Sequence, residues 1–253
     1  MDGAVLMPDI LAFTESPEDT EAVQGITAAL ARTLHLKAEQ REFPSGIYDV
    51  SAAVLLSMDD PTVRLAVLPY CAGDLALKVT GVIRKCPKPV VLMPIGRGAT
   101  APGLISRVLV PLDGTPESAE TMAETVALFA ASGTDIVILH VFDETTVPKF
   151  WDQPAHARKS WDEEFLARYC NEPYARLELR TGRPGESILD VAATEHADLI
   201  ALGWAQNLSA GRARTVRTTL SRASTPILLL PVASAEAGSP TGSPVTTERG
   251  NDA

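Results

Sequence analysis

Two short segments of this chain occur twice. Phe13-Thr14-Glu15-Ser16-Pro17-Glu18 returns as Leu112-Asp113-Gly114-Thr115-Pro116-Glu117, and Lys88-Pro89-Val90-Val91-Leu92-Met93-Pro94 returns as Thr225-Pro226-Ile227-Leu228-Leu229-Leu230-Pro231. The first pair reads as a strand running into a helix and the second as an apolar closing strand, so one α/β unit is written twice. Pro17 and Pro116 stand 99 residues apart, whereas Pro89 and Pro226 stand 137 apart. The second copy therefore holds 38 residues that the first lacks, about one strand and one helix.

The periodicities fill in that frame. Ile10 to Phe13 reads as a short buried strand, and Ser16-Pro17-Glu18-Asp19 supplies an N-cap, a proline at the first helical position and early acids. Val23, Ile26, Leu30 and Thr33 or Leu34 give the following helix one apolar face. Leu36 to Phe43 reads as an edge strand, Val50 to Met58 as a helix and Val63 to Leu68 as a strand. Leu75, Val79, Val82, Ile83 and Cys86 form the apolar face of a helix leading into Val90 to Met93.

The second copy opens with Arg107 to Leu112, followed by a helix with Met122, Val126 and Phe129 inward. Asp135 to Val141 is a buried strand and Arg176 to Arg180 an alternating one. Ile188, Leu189, Ala192 and His196 line a helix, Leu199 to Leu202 is a strand, and Val216, Leu220 and Ala223 face inward from the last helix. The surplus falls between Asp135 and Glu172, while the first copy passes almost directly to a strand resembling Arg176 to Arg180. Strand and helix alternate throughout, which predicts parallel sheets covered by helices. The expected division is 1–97, a Gly/Pro-rich linker at 98–104, 105–233, and a disordered tail at 234–253.

The net charge of −10 argues against nucleic-acid and anionic-membrane partners. The apolar runs fall far short of the roughly 20 residues that span a bilayer, and the N-terminus carries Asp2 where a secretory signal has positive residues. Cys71, Cys86 and Cys170 share no metal-ligand spacing, and all three are expected as small core residues of a cytoplasmic protein.

A strand ending Val110-Pro111-Leu112-Asp113-Gly114-Thr115-Pro116-Glu117-Ser118, a buried strand ending His140-Val141, and Ala223-Ser224-Thr225-Pro226 opening the last strand together resemble the universal stress protein family. Residues 9 to 95 look like a reduced second copy, so the chain resembles a tandem member. The resemblance implies a Rossmann-like α/β fold: two open parallel-sheet units with helices on both faces, the full one five-stranded, paired through their last strands. It also implies a role in stress adaptation.

Many members of that family bind ATP at the carboxyl ends of the strands. By resemblance, Asp113, with Gly114 beside it, would reach the nucleoside and the Val141 amide the adenine. Family binders then carry two glycines separated by two residues, a nine-residue stretch, and Gly-Ser or Gly-Thr opening the last helix, which bring backbone N–H groups to the phosphates. Here Gly203 takes the first place, Gln206 stands at the second, and Ala213-Arg214 replaces the closing pair. The loop is about three residues short of that pattern. In the first copy Thr14-Glu15 replaces Asp-Gly, and Pro69 to Asp74 again lacks the glycines. The expectation is no ATP binding tighter than about millimolar.

An anion reading survives at Ser209, Gly211, Arg212, Arg214 and Thr215, where a helix start and two arginines could meet sulfate or phosphate. The alternative is that these arginines belong to a solvated helix face or pair with acids. Phe150-Trp151, Trp161 and Phe165, with His156 among them, could cover a ligand, or could pack a helix from Ser160 to Tyr169 onto the sheet. His156 and Asp152 lack two further ligands for a metal. Gly-x-Ser-x-Gly, Walker A and Gly-x-Gly-x-x-Gly patterns are absent, and His140 and His196 read as packed core residues. The expectation is a non-enzymatic protein without cofactor that acts by binding a small anion or a protein partner, or as a further homo-oligomer. The runner-up is an ATP-binding or other nucleotide-binding module in the second unit, with slow hydrolysis.

Overall fold

The computed structural model describes residues 8–14, 16–42, 50–71, 78–96, 98–99, 101–142, 147, 155–170, 172–207 and 213–232. The N-terminal half contributes β1 (Ile10–Thr14), α1 (Pro17–Leu34), β2 (Ala38–Glu42), α2 (Val50–Met58), β3 (Leu65–Tyr70), α3 (Lys78–Ile83) and β4 (Val90–Pro94). The C-terminal half contributes β5 (Arg107–Pro111), α4 (Pro116–Ala131), β6 (Asp135–Phe142), α5 (Ala155–Tyr169), β7 (Arg176–Thr181), α6 (Pro184–Thr194), β8 (Leu199–Trp204), α7 (Arg214–Arg222) and β9 (Ile227–Pro231). Ser16 and Thr115 cap α1 and α4 by accepting from the backbone N–H three residues on, each followed by proline at the first helical position.

Among the described residues the strands form one nine-stranded sheet in the order β2-β1-β3-β4-β9-β8-β5-β6-β7. Every pairing is parallel except β4 with β9, which run antiparallel with Val90, Val91 and Leu92 opposite Leu229, Leu228 and Ile227. The inner strands are apolar on both faces because helices cover both. Alternation along each strand then divides the core in two. Leu11 and Phe13, like Ile227 and Leu229, face α2, α3, α6 and α7, whereas Ile10 and Ala12, like Leu228 and Leu230, face α1, α4 and α5. Each core layer draws residues from both halves.

Four strands lie in the N-terminal half and five in the C-terminal half. The likeness of Leu36–Phe43 to the alternating strand β7 proves to be one of exposure, since β2 and β7 are the two edges of the sheet. By position β2 corresponds to β6, because it pairs directly with the first strand of its half. Among the described residues, the N-terminal half thus has no outer strand and no counterpart of α5.

Several local expectations need correcting. Strand β3 runs from Leu65 to Tyr70, two residues later than expected, because Arg64 and Leu65 both donate to the Asp9 carbonyl at its entrance. His196 does not line α6: it lies beyond the helix end, exposed, with φ 52°. Cys71 is exposed and Cys170 half-buried, so only Cys86 sits in the core as expected. Leu75 and the tail at 234–253 fall outside the described residues. Part of the expected linker is held against α1, where Arg32 donates to the Gly103 carbonyl and Thr33 Oγ1 accepts from Ile105 N at 2.9 Å.

Candidate functional site

Strand β5 has β6 on one side and β8 on the other: α4 leads from β5 to β6, whereas β8 is reached from β7 through α6, so a crevice opens beyond the carboxyl ends of the three. Asp113, Gly114 and Thr115 form the turn there. Asp113 Oδ1 accepts from Thr115 N at 3.0 Å and from Thr115 Oγ1 at 2.7 Å, while Thr115 in turn caps α4. Gly114 has φ 82°, and a Cβ at that position would stand 3.2 Å from His140 Cε1. Both the left-handed backbone and the close approach call for glycine. The Asp113 side chain is exposed at the crevice.

Val141 lies at the end of β6. The ladder with β5 stops at Leu139, whereas that with β7 continues to Phe142, so the last residues of β6 project past β5. The Val141 side chain packs on the α6 and α7 face, and its neighbour His140 points to the opposite face. His140 is half-buried and lines a cavity, which corrects its reading as a packed core residue. Gly203 sits in β8 opposite Leu230; a Cβ there would meet Val232 Cγ2 at 3.2 Å and Met122 Sδ at 3.7 Å. Packing alone accounts for that glycine.

Gln206 has φ 53° and Ala213 φ 52°. Both positions keep the left-handed backbone that glycine adopts easily, although both carry side chains. The Gln206 side chain turns away from the crevice: its Nε2 donates to the carbonyls of Ile83 at 3.0 Å and Cys86 at 2.7 Å. Although Gln206 stands at the second glycine's place in the family pattern, its side chain is not directed at the phosphate position. It instead satisfies carbonyls at the C-terminal end of α3, in the other half of the chain.

Arg214 is exposed on the first residue of α7 and Thr215 is half-buried behind it, its carbonyl accepting from Thr219 Oγ1 at 2.9 Å. Ser209, Gly211 and Arg212 lie outside the described residues, as do Phe150 and Trp151 and the side chain of His156. Of the residues singled out from sequence, Asp113, Gly114, Val141 and Gly203 share the crevice edge, and Arg214 and Thr215 open the helix that leads into β9. Sequence reasoning missed the use of Gln206, Glu164 and Tyr169. The spacing of Trp161, Phe165 and Tyr169, four residues apart each time, was a signal available for the last.

The equivalent corner of the N-terminal half differs among the described residues. Thr14, which matches Asp113, is buried; Gln40 Nε2 donates to its Oγ1 at 3.3 Å and Gln24 Nε2 donates to Gln40 Oε1 at 2.7 Å. The displaced titrations lie elsewhere. At the amino edge of the sheet, the Arg176 guanidinium hydrogen-bonds Glu195 and holds its carboxyl below the usual range, with Arg107 and Arg180 adding positive charge. Burial pushes the Cys86 and Cys170 thiols up. Among the described residues no group of three or more His, Cys, Asp or Glu could hold a metal ion, and no helix is long and apolar enough to cross a membrane.

A model of the universal stress protein family matches residues 105–231. A universal stress protein from Archaeoglobus fulgidus DSM 4304 has a similar fold, with TM-score 0.54 and 17% identity over 87% of this chain and 78% of that one. A Pseudomonas aeruginosa UCBPP-PA14 protein described as a universal stress protein gives TM-score 0.57 and 12% identity over 89% and 94%. A universal stress protein in complex with cAMP aligns with 50% of this chain and 97% of its own, at TM-score 0.39 and 20% identity. No curated protein matches the chain.

Proposed function

We propose that this chain, which belongs to the universal stress protein family, acts as a non-enzymatic binding or interaction protein built as an intramolecular pair of two units. The family supports a stress-response role. In this reading the units are residues 1–97 and 105–233, joined by 98–104 and followed by a tail at 234–253, and the protein works in the cytoplasm.

The observation that carries the reading is the Gln206 side chain. At the place where the resemblance calls for a phosphate-approaching glycine, its amide is committed to the Ile83 and Cys86 carbonyls of the other unit. A corner that would serve a phosphate serves the union of the two halves instead. The loop is also about three residues short of the family pattern, and losing two or three charge-assisted hydrogen bonds there, at roughly 1.5–3 kcal/mol each, would move a micromolar ligand to the millimolar range.

Isothermal titration of the full chain with ATP and magnesium tests this. The expected result is a dissociation constant no tighter than about 1 mM. A micromolar constant abolished by Asp113→Ala would overturn the reading in favour of a nucleotide module. The left-handed backbone retained at Gln206 and Ala213 is what favours that second reading. Its ligand set would be Asp113, Gly114, Val141, Gly203, Ser209, Gly211, Arg212, Arg214 and Thr215. Under the first reading, a lone sulfate or phosphate near Gly211 remains compatible, through Arg212 and Arg214.

A further inference from the structure

Helix α5 lays three rings over the end of β6. Trp161, Phe165 and Tyr169 recur every four residues and so share one side of the helix. Trp161 and Phe165 stack at 4.9 Å with 26° between planes, and Phe165 meets Tyr169 at 4.7 Å and 53°. The His140 ring completes the group at 4.9 Å from Phe165 and 5.7 Å from Trp161. Its Nδ1 lies 2.9 Å from the Leu112 carbonyl, an acceptor, so Nδ1 carries a proton there and the ring is fixed. Gly114 leaves room for this ring, since a Cβ there would stand 3.2 Å from His140 Cε1, tighter than ordinary contact.

A cavity of about 240 Å³ lies among these rings, Asp113 and Glu164. Phe165 is buried and does the work of holding α5 on the sheet, whereas Trp161 and Tyr169 are half-buried at the cavity wall. Arg168, also at the wall, pairs with Glu164 at 3.1 Å. Among the described residues Asp113 makes no ion pair; its Oδ1 accepts only from Thr115. The wall thus carries an excess of negative charge on a chain of net charge −10, which disfavours an anionic ligand. A cation is favoured by the electron-rich rings of Trp161 and Tyr169 at the wall and by the carboxylate beside them.

We propose that this pocket binds an organic ammonium group, held by Trp161 and Tyr169 through cation–π contact and balanced by the Asp113 carboxylate. The pocket shares Asp113 and Gly114 with the nucleotide reading but none of the phosphate-loop residues, so choline is titrated without nucleotide and its outcome is read separately from that of the ATP titration.

The test titrates the full chain with choline chloride and, separately, with 3,3-dimethyl-1-butanol, which replaces the charged nitrogen by carbon at nearly the same shape. Binding is followed by calorimetry and by the indole N–H resonance of Trp161, assigned from its loss in Trp161→Leu. Saturable choline binding, at least about tenfold tighter than the neutral alcohol and weakened several-fold in Asp113→Asn, is expected. Asp113 is exposed, so that variant keeps the fold even where Trp161→Leu loosens α5, and circular dichroism checks both. The proposal is overturned by no saturable binding below about 100 mM, by equal affinity for choline and the alcohol, or by Asp113→Asn binding choline as the wild type does.

Discussion

Gln206 and Ala213 hold left-handed backbone that costs a residue with a Cβ about 1–2 kcal/mol. Ala213 returns only the packing of its methyl against the core, since it caps α7 without a side-chain hydrogen bond. Glycine fits that conformation and is the better cap, so Ala213→Gly is expected to raise stability by about 0.5–1 kcal/mol in thermal unfolding. A lower melting temperature would mean that the Ala213 methyl packs more strongly than its surroundings suggest. Charge at the other edge of the sheet gives a second residue-scale expectation. The Glu195 carboxyl is depressed in the folded chain from an ordinary value of 4.5, chiefly by its hydrogen bond to Arg176. A depressed folded value means that the contribution is present above the unfolded value and is lost as pH falls through the folded one. Stability should therefore drop below about pH 4.5, and Glu195→Gln should flatten that part of the profile in acid denaturation. An unchanged profile would remove Glu195 from the account.

The helices show how much the sequence can and cannot say about packing. The N-caps Ser16 and Thr115, each with its proline, were legible because capping is local chemistry. The crossing of α6 over α7 was not, as it depends on what lies opposite. A Cβ on Gly185 would stand 2.7 Å from Thr218 Cβ, and one on Gly81 would stand 2.5 Å from Ser51 Oγ. The α2–α3 and α6–α7 pairs thus cross through one glycine each, on opposite members of the pair. Gln206 was legible as a departure from the glycine pattern but its use was not, because its partners lie more than 100 positions earlier. Gln206→Ala keeps the backbone cost and removes only the cap on α3, so it should lower stability by about 1–3 kcal/mol in urea unfolding. A loss near zero would indicate that water replaces the amide at the Ile83 and Cys86 carbonyls.

For the whole molecule, the repeated segments carried most of the architecture. Their spacing gave the unequal halves, and two apolar closing strands each followed by proline implied strands that need cover. Which strand β2 matches was not legible, because exposure at a sheet edge gives β2 and β7 the same polar composition whatever their neighbours. The candidate site was half legible: the Asp-Gly-Thr turn was, whereas the ring cluster needed the placement of α5 over His140. One sheet and two shared core layers should make the halves a single cooperative unit, and natural probes lie on either side of the join. The tryptophans all belong to the C-terminal half, while Cys86 is buried in the N-terminal half. With Cys71 and Cys170 changed to serine, thiol labelling of Cys86 and tryptophan fluorescence should be followed through the same urea titration. Both transitions should have one midpoint and one slope. Labelling of Cys86 at clearly lower urea than the fluorescence change would show that the N-terminal half opens by itself, and would contradict a single cooperative unit.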